Sequence, residues 1–402
     1  MAGVVSRADG CHRHAAESGP PAVYLDHAST TALRPEALEA MLPWLARNYG
    51  NPSGSHSVSR GARRAVDDAR DEMAAALGGE PGEVVFTSGG TEADNLAVTG
   101  ALPASREDSR LVACSAVEHP AVLEPVRAAG GCLLAVDSFG AIDLGALEAW
   151  LVEAGDQVAE VSVMLVNNET GLVQPFAEVA RLVRSRAPGA LLHTDAVQAM
   201  PWLDVAVLAG DADLVTVSGH KFGGPKGVGA LLVRTSARAR LRPLLLGGPQ
   251  ERELRAGTPD VAGIVGMAEA ARLAVAERAE HMAAAEGLGR LLVAGVLAGA
   301  GCAAEAVPAE RRIAAICNVW FEAVEAEELL IVLDQLGVCA SAGSACASGA
   351  LDPSHVLVAM GRSRDEARSH VRFSLGSSTS QADVEQAVGR ICEAVGRLRA
   401  AG

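Results

Sequence analysis

Two lysines stand in the whole chain, Lys221 and Lys226, so of 34 basic residues the other 34 − 2 = 32 are arginine. A chain this rich in Ala, Gly, Val and Arg uses arginine wherever a generic positive charge serves. A lysine kept against that bias is a candidate for chemistry that arginine cannot do. Guanidinium stays protonated, whereas a desolvated amine can lose its proton and condense with a carbonyl. Composition alone leaves open that one or both are leftover surface charges. Lys221, however, lies in Ser218-Gly219-His220-Lys221, directly after an apolar run, and in an open α/β sheet the ends of such runs face the ligand.

Polar residues fill the same place after other apolar runs. Ser88-Gly89-Gly90-Thr91-Glu92 comes after Thr87, Glu118-His119-Pro120 after Cys114, Asn167-Asn168-Glu169 after Val166, and Asp195 and Gln198 after His193. A cleft furnished from five strand ends is hard to explain as packing. Gly89-Gly90-Thr91 at the start of a helix has the form of a phosphate cradle, because glycines allow close backbone approach and the helix start offers free N–H groups. A tight turn is equally compatible with it. No G-K-[ST] comes next, so it is not a nucleotide-triphosphate loop. Asp195, a carboxylate at a strand end, needs a partner. A helix N-terminus is one and a pyridinium nitrogen is another. Lys221, Asp195 and a phosphate-sized loop together point to pyridoxal 5'-phosphate.

A scaffold for these residues is legible in the apolar pattern. Short runs rich in Val and Leu at Val84–Thr87, Leu111–Cys114, Leu133–Val136, Val161–Val166, Leu191–His193, Leu214–Val217 and Ala230–Val233 are predicted strands, with helices between most of them. That alternation implies an α/β domain whose mostly parallel seven-stranded sheet is covered on both faces. Ala268–Ala298 is predicted helical, followed by a strand region at Ile313–Val324, a helix at Glu325–Leu336 closed by Gly337, and a strand at Ser369–Leu375. A last helix begins near Ser380, where Ser-x-x-Asp to Asp383 resembles a capping box. The expected division is a disordered extension over 1–21, a large domain over 22–267 and a smaller C-terminal α+β domain over 268–402.

The chain has 402 residues, a formal net charge of 34 − 49 = −15 and no basic run, which argues against a nucleic acid or an anionic membrane as the main partner. Its eight cysteines are scattered with no C-x-x-C pair, so neither a disulfide scaffold nor a structural zinc site is expected. Cys11-His12-Arg13-His14 is read as part of a disordered tail and not as a metal site; no metal is expected. No secretory signal is legible, no apolar stretch is expected to approach membrane-spanning length, and a reducing cytoplasm is the expected compartment.

With these residues in view, the chain resembles the cysteine desulfurases of the class V aminotransferase group, pyridoxal phosphate enzymes of fold type I. The matching stretches include YLDHASTT (24–31), FTSGGTEADN (86–95), EHPAVL (118–123), VNNETG (166–171), HTDAVQA (193–199), SGHKFGGPKGVGALL (218–232), GGPQERELRAGT (247–258), SAGSACASG (341–349) and VRFSLG (371–376). They run from residue 22 to about 395 in family order. The resemblance implies that Lys221 would bind the cofactor aldehyde and shuttle protons, and that Asp195 would pair with the ring nitrogen. Gln198 would hydrogen-bond the phenolic oxygen, and His119 would stack on the ring and assist proton transfer as a catalytic residue. Gly90, Thr91, Ser218 and His220 would hold the phosphate, joined by Thr258 from the partner subunit of a homodimer. Asn168 and Arg372 would bind the substrate carboxylate.

Cys346 has the sharpest role. It is the one cysteine inside a run of Ala, Ser and Gly, Ala340–Ala350, a composition that suits a mobile loop. The resemblance makes it the thiolate that takes sulfur from L-cysteine, leaving L-alanine, and hands the persulfide to an acceptor protein. Cys339 is expected to pack at the loop base. Ser29 and Ala342 stand where Ala and Ser are more usual in the family. Two alternatives remain at this stage, a transaminase or lyase of the same fold and a non-catalytic sulfur-transfer scaffold.

Overall fold

The computed structural model describes residues 22–102, 110–301, 303–343 and 353–401. Its strands, in chain order, are β1 (Val23–Tyr24), β2 (Val84–Thr87), β3 (Leu111–Ser115), β4 (Cys132–Leu134), β5 (Val158–Ser162), β6 (Leu191–Asp195), β7 (Leu214–Ser218), β8 (Gly229–Val233), β9 (Ala303–Glu305), β10 (Ile316–Phe321), β11 (Val338–Cys339) and β12 (His370–Ser374). Seven of them form the predicted sheet in the order β2-β8-β7-β6-β5-β3-β4. Pairing is parallel from β7 through β4, while β8 runs antiparallel to both β2 and β7.

Every residue of β5, β6, β7 and β8 is buried. Helices cover both faces, so these strands read as continuous apolar runs instead of alternating ones. Side chains such as Leu165, Leu147 and Leu151 are fully buried, and each contributes about 2 kcal/mol through removal of apolar surface from water.

The strand predicted over Val161–Val166 begins earlier and ends at Ser162. Beyond it the ladder continues irregularly, with Val163 N–H donating to the His193 carbonyl at 3.1 Å and Leu165 N–H to that of Asp195 at 3.0 Å. Asn167-Asn168-Glu169 therefore still emerges beside Asp195.

A helix over Val261–Ala300 links the large sheet to a three-stranded antiparallel sheet in the order β12-β10-β9. It is longer than the predicted 268–298 because Asp260 caps it, accepting from Gly263 N–H at 3.0 Å. The expected domain boundary at 267/268 falls inside it. By length and composition this helix is apolar enough to cross a membrane, contrary to the expectation that no stretch would approach that length. In the fold it packs against the helices Pro35–Ala46, Ser57–Leu77 and Gln381–Ala401. The chain start pairs with the C-terminal part: β1 lies parallel to β11, and Asp26 bridges Ser374. At the last helix the expected capping box forms, with Ser380 N–H donating to Asp383 Oδ2 at 2.9 Å and Asp383 N–H to Ser380 Oγ at 3.2 Å.

Candidate active site

The loop after β2 enters the helix Gly90–Gly100 through Gly89, whose φ of +152° few residues other than glycine adopt. Gly90 is packed tightly: a Cβ there would lie 3.1 Å from Val197 Cγ2 and 3.4 Å from Ser218 Cβ. The helix start, the end of β7 and the turn after β6 thus meet at one point, bringing Gly90, Thr91 and Ser218 beside the turn that holds Asp195. Glu92 braces the loop, accepting from Ser88 N–H at 2.8 Å and pairing with Arg255 at 3.0 Å.

Asp195 ends β6 and is 5% exposed. Its Oδ1 accepts from Val197 N–H at 2.8 Å, which makes a turn at the strand end and not a helix cap. Burial pushes its carboxyl group up to about 6, against the pull of that N–H and of the Lys221 amine. The positive field of Lys221 also reaches His119 and His220, both pushed down to about 4, first by burial and then by the lysine. One amine therefore acts on a carboxylate and two neutral imidazoles. Lys221 Nζ donates to the carbonyls of Ala28 and Ser29 at 2.5 and 2.9 Å. Gln198 Nε2 donates to the same Ala28 carbonyl at 2.8 Å, and His220 Nδ1 lies 3.1 Å from Thr30 Oγ1. The stretch 28–31 is the wall on which these residues converge.

His119 caps the helix Pro120–Ala128, its Nδ1 accepting from Ala121 N–H at 3.1 Å, which leaves the ring proton on Nε2. Arg372, on β12, is 2% exposed. It donates to the Asn168 carbonyl at 2.9 Å, to Asp26 Oδ1 at 2.8 Å and to Ser29 Oγ at 2.6 Å. Asn168 and Arg372 are thus brought together. Thr258 is exposed and, among the described residues, makes no hydrogen bond to the cradle of its own chain. Cys346 lies outside the described residues, as do 1–21. Cys339 is half-buried in β11, at the predicted place.

Sequence reasoning missed three sets of residues. Asp26 and Ser29 orient Arg372, but they sit in a motif to which no role was attached. Glu169 reaches across to the C-terminal segment. A polar group lies buried under Asp195: His193 stands 3.6 Å from Asp94 and 3.7 Å from Glu160, with Ser162 Oγ at 2.7 Å and Thr216 Oγ1 at 3.0 Å. Burial holds Glu160 near 8 and His193 near 3, so both are neutral at physiological pH. The available signal was Glu160 and His193 placed inside apolar strands; Asp94, in the helix Gly90–Gly100, gave none.

The donor set fits pyridoxal phosphate. A glycine start to a helix can take a phosphate, a desolvated carboxyl group raised toward neutrality gains a partner in a protonated ring nitrogen, and a lysine amine stands beside both.

The sequence from residue 23 to 387 matches the model of the family described as aminotransferase class V. A cysteine desulfurase from Nostoc sp. is 41% identical over 383 residues, covering 94% of each chain. Among solved structures, a NifS-like protein superposes with a TM-score of 0.85 at 33% identity, covering 92% of this chain and 98% of its own. A structure described as SspA in complex with cysteine superposes with a TM-score of 0.75 at 32% identity, covering 88% and 98%. A family match over most of the chain, and a relative of this identity and coverage, agree with the arrangement of Lys221, Asp195 and the glycine cradle: the chain belongs to the class V aminotransferase family, whose members depend on pyridoxal phosphate, and within it to the cysteine desulfurases.

Proposed function

We propose that this protein converts L-cysteine to L-alanine with pyridoxal phosphate and carries the sulfur as a persulfide on Cys346. The observation that carries the reading is the placement of the Lys221 amine among Asp195, His119 and His220, within one cleft that also holds Arg372. Bound there, pyridoxal phosphate supplies an electron sink for bonds at the substrate α-carbon. The protein's own residues do the rest. Gly90, Thr91, Ser218 and His220 would hold the phosphate, Asp195 would pair with the ring nitrogen, and Gln198 would donate to the phenolic oxygen. Arg372, aimed by Asp26 and flanked by Asn168, takes the substrate carboxylate in a charge-assisted contact. Lys221 Nζ would move protons at the substrate α-carbon, and the neutral His119 ring, with its proton on Nε2, would pack against the cofactor and assist proton transfer.

In the net step the C–S bond of cysteine breaks and an S–S bond forms to Cys346. The electron pair of the C–S bond stays with carbon, which takes up a proton; the carbon gains two electrons, and the two sulfurs of the new S–S bond, one from the substrate and one from Cys346, supply one each. The persulfide then passes to an acceptor protein, in a cytoplasm that keeps Cys346 reduced between cycles. Purified protein is expected to be yellow, to change its visible spectrum when L-cysteine is added, and to release alanine in step with sulfide when a reducing thiol is present. A yellow protein that releases pyruvate or an amino-group transfer product instead would favour the lyase or transaminase reading; a colourless protein that binds no cofactor would favour the scaffold.

The exposed Thr258 completes the phosphate site of a second copy in this reading, so the active form is a homodimer. Sedimentation at micromolar concentration should give about twice 41.1 kDa. A fully active monomer would contradict it.

A further inference from the structure

Glu169 is 2% exposed and takes no part in the roles assigned above. Its backbone is fixed on both sides: its N–H donates to Asn167 Oδ1 at 3.0 Å, and its carbonyl accepts from Asn318 Nδ2 at 3.2 Å. From that anchored position its carboxyl group meets two segments far away in sequence. Ser354 Oγ donates to Glu169 Oε2 at 2.5 Å. Gly343, with φ of +84°, comes so close that a Cβ there would lie 2.7 Å from the same oxygen. Gly343 and Ser354 lie on either side of residues 344–352, which contain Cys346.

Each flank is tied a second time, and each time to the active site. Ser341 and Arg372 form an antiparallel bridge, with N–H to carbonyl distances of 3.2 and 2.7 Å in the two directions. Ser341 Oγ also accepts from Gly343 N–H at 3.2 Å. On the other flank, Ser354 Oγ accepts from Leu357 N–H at 3.3 Å, and His355 Nε2–H donates to the carbonyl of Glu118 at 2.9 Å, next to His119. Glu169 therefore packs against a flank bridged to the carboxylate-binding arginine and hydrogen-bonds a flank docked beside the catalytic histidine. A buried carboxyl group is a costly way to fill space. Burial pushes Glu169 up, while the Ser354 hydroxyl, His355 and Arg372 draw it down. An apolar side chain would fill the same volume without that cost but would not hold Ser354.

We propose that Glu169 is a positioning residue for sulfur transfer: its carboxyl group hydrogen-bonds the Ser354 flank of the Cys346 segment and packs against Gly343 of the other flank, which the Ser341–Arg372 bridge holds at the substrate-binding end of the sheet. Fixing the ends of a chain segment narrows the space its residues sample, which raises the share of encounters in which a thiolate meets the substrate sulfur. The inference rests on the desulfurase reading.

The test uses the cofactor-loaded, full-length protein and tracks two signals: the spectral change on adding L-cysteine, which reports substrate binding, and single-turnover persulfide formation on Cys346 by mass spectrometry. Glu169→Ala should leave cofactor content and the cysteine concentration for half-maximal spectral change near wild type, yet slow persulfide formation by about tenfold to a hundredfold. Glu169→Gln, which keeps an acceptor for Ser354, should restore most of the rate. Ser354→Ala removes the same hydrogen bond from the other side and should slow the same step, and adding it to Glu169→Ala should have little further effect. If Glu169→Ala does not fold, Ser354→Ala decides. Wild-type persulfide formation in both Glu169→Ala and Ser354→Ala, or a parallel loss of cofactor, substrate binding and persulfide, would overturn the inference while the desulfurase reading stands. A wild-type protein that releases alanine with no sulfur on Cys346 would overturn that reading and this inference with it.

Discussion

Replacing Cys346 by serine should leave a yellow protein that still responds spectrally to L-cysteine and yet releases almost no alanine. Cofactor and substrate are held by Lys221, Asp195, the Gly90–Thr91 cradle and Arg372, none of which the substitution touches. What is lost is the nucleophile. A thiol near neutral pH furnishes a polarizable thiolate that can attack sulfur and end as a persulfide, whereas a serine hydroxyl of similar size neither ionises there nor forms one. The expected fall in alanine release is about 10³-fold or more, as for other removals of a covalent nucleophile. Cys339→Ser is the control: that residue sits in β11 against Tyr24, and burial pushes its thiol up, away from the thiolate. It should stay largely active. Mass spectrometry of wild type after brief exposure to cysteine should place one extra sulfur on the Cys346 peptide. Wild-type alanine release by the serine variant, or sulfur found only on another cysteine, would sink the mechanism and move the transaminase or lyase reading ahead.

Lys221→Ala should abolish the borohydride-trappable adduct with pyridoxal phosphate and lower turnover by about 10³-fold or more, since both carbonyl capture and proton transfer rest on that amine. Loss of the amine also removes the positive charge that opposes the burial-driven rise of Asp195 and that adds to the lowering of His119 and His220. In the cofactor-free variant Asp195 should therefore titrate higher than in wild type, and the two histidines should regain protons at higher pH. Lys226 is exposed, and Lys226→Arg should keep the adduct and the activity. Peptide mapping after borohydride reduction separates the two lysines, and an adduct on Lys226 would refute the assignment.

The central sheet was legible because its signal is local. Strands buried on both faces are written as unbroken apolar runs, and the polar residues just beyond each run mark the ends that face the cleft. Lys221 stood out by scarcity, Asp195 by its place at a strand end, and the glycine pair by opening a helix. The family resemblance then attached roles to them.

Other features depended on which distant segments meet. Arg372 is aimed by Asp26, 346 positions earlier, and by the carbonyl of Asn168, 204 positions earlier. Glu169 meets Ser354 across 185 positions. No periodicity encodes such pairs, because the pattern of a strand or helix records which face is buried and not which segment covers it. The ionisable group of Asp94, Glu160 and His193 was hidden for a related reason. Inside an apolar run a single charged residue such as Glu160 or His193 reads as an interruption, and only the close packing of β5, β6 and the helix Gly90–Gly100 shows that these two and Asp94 share one buried spot, where burial decides the charge of Glu160 and His193.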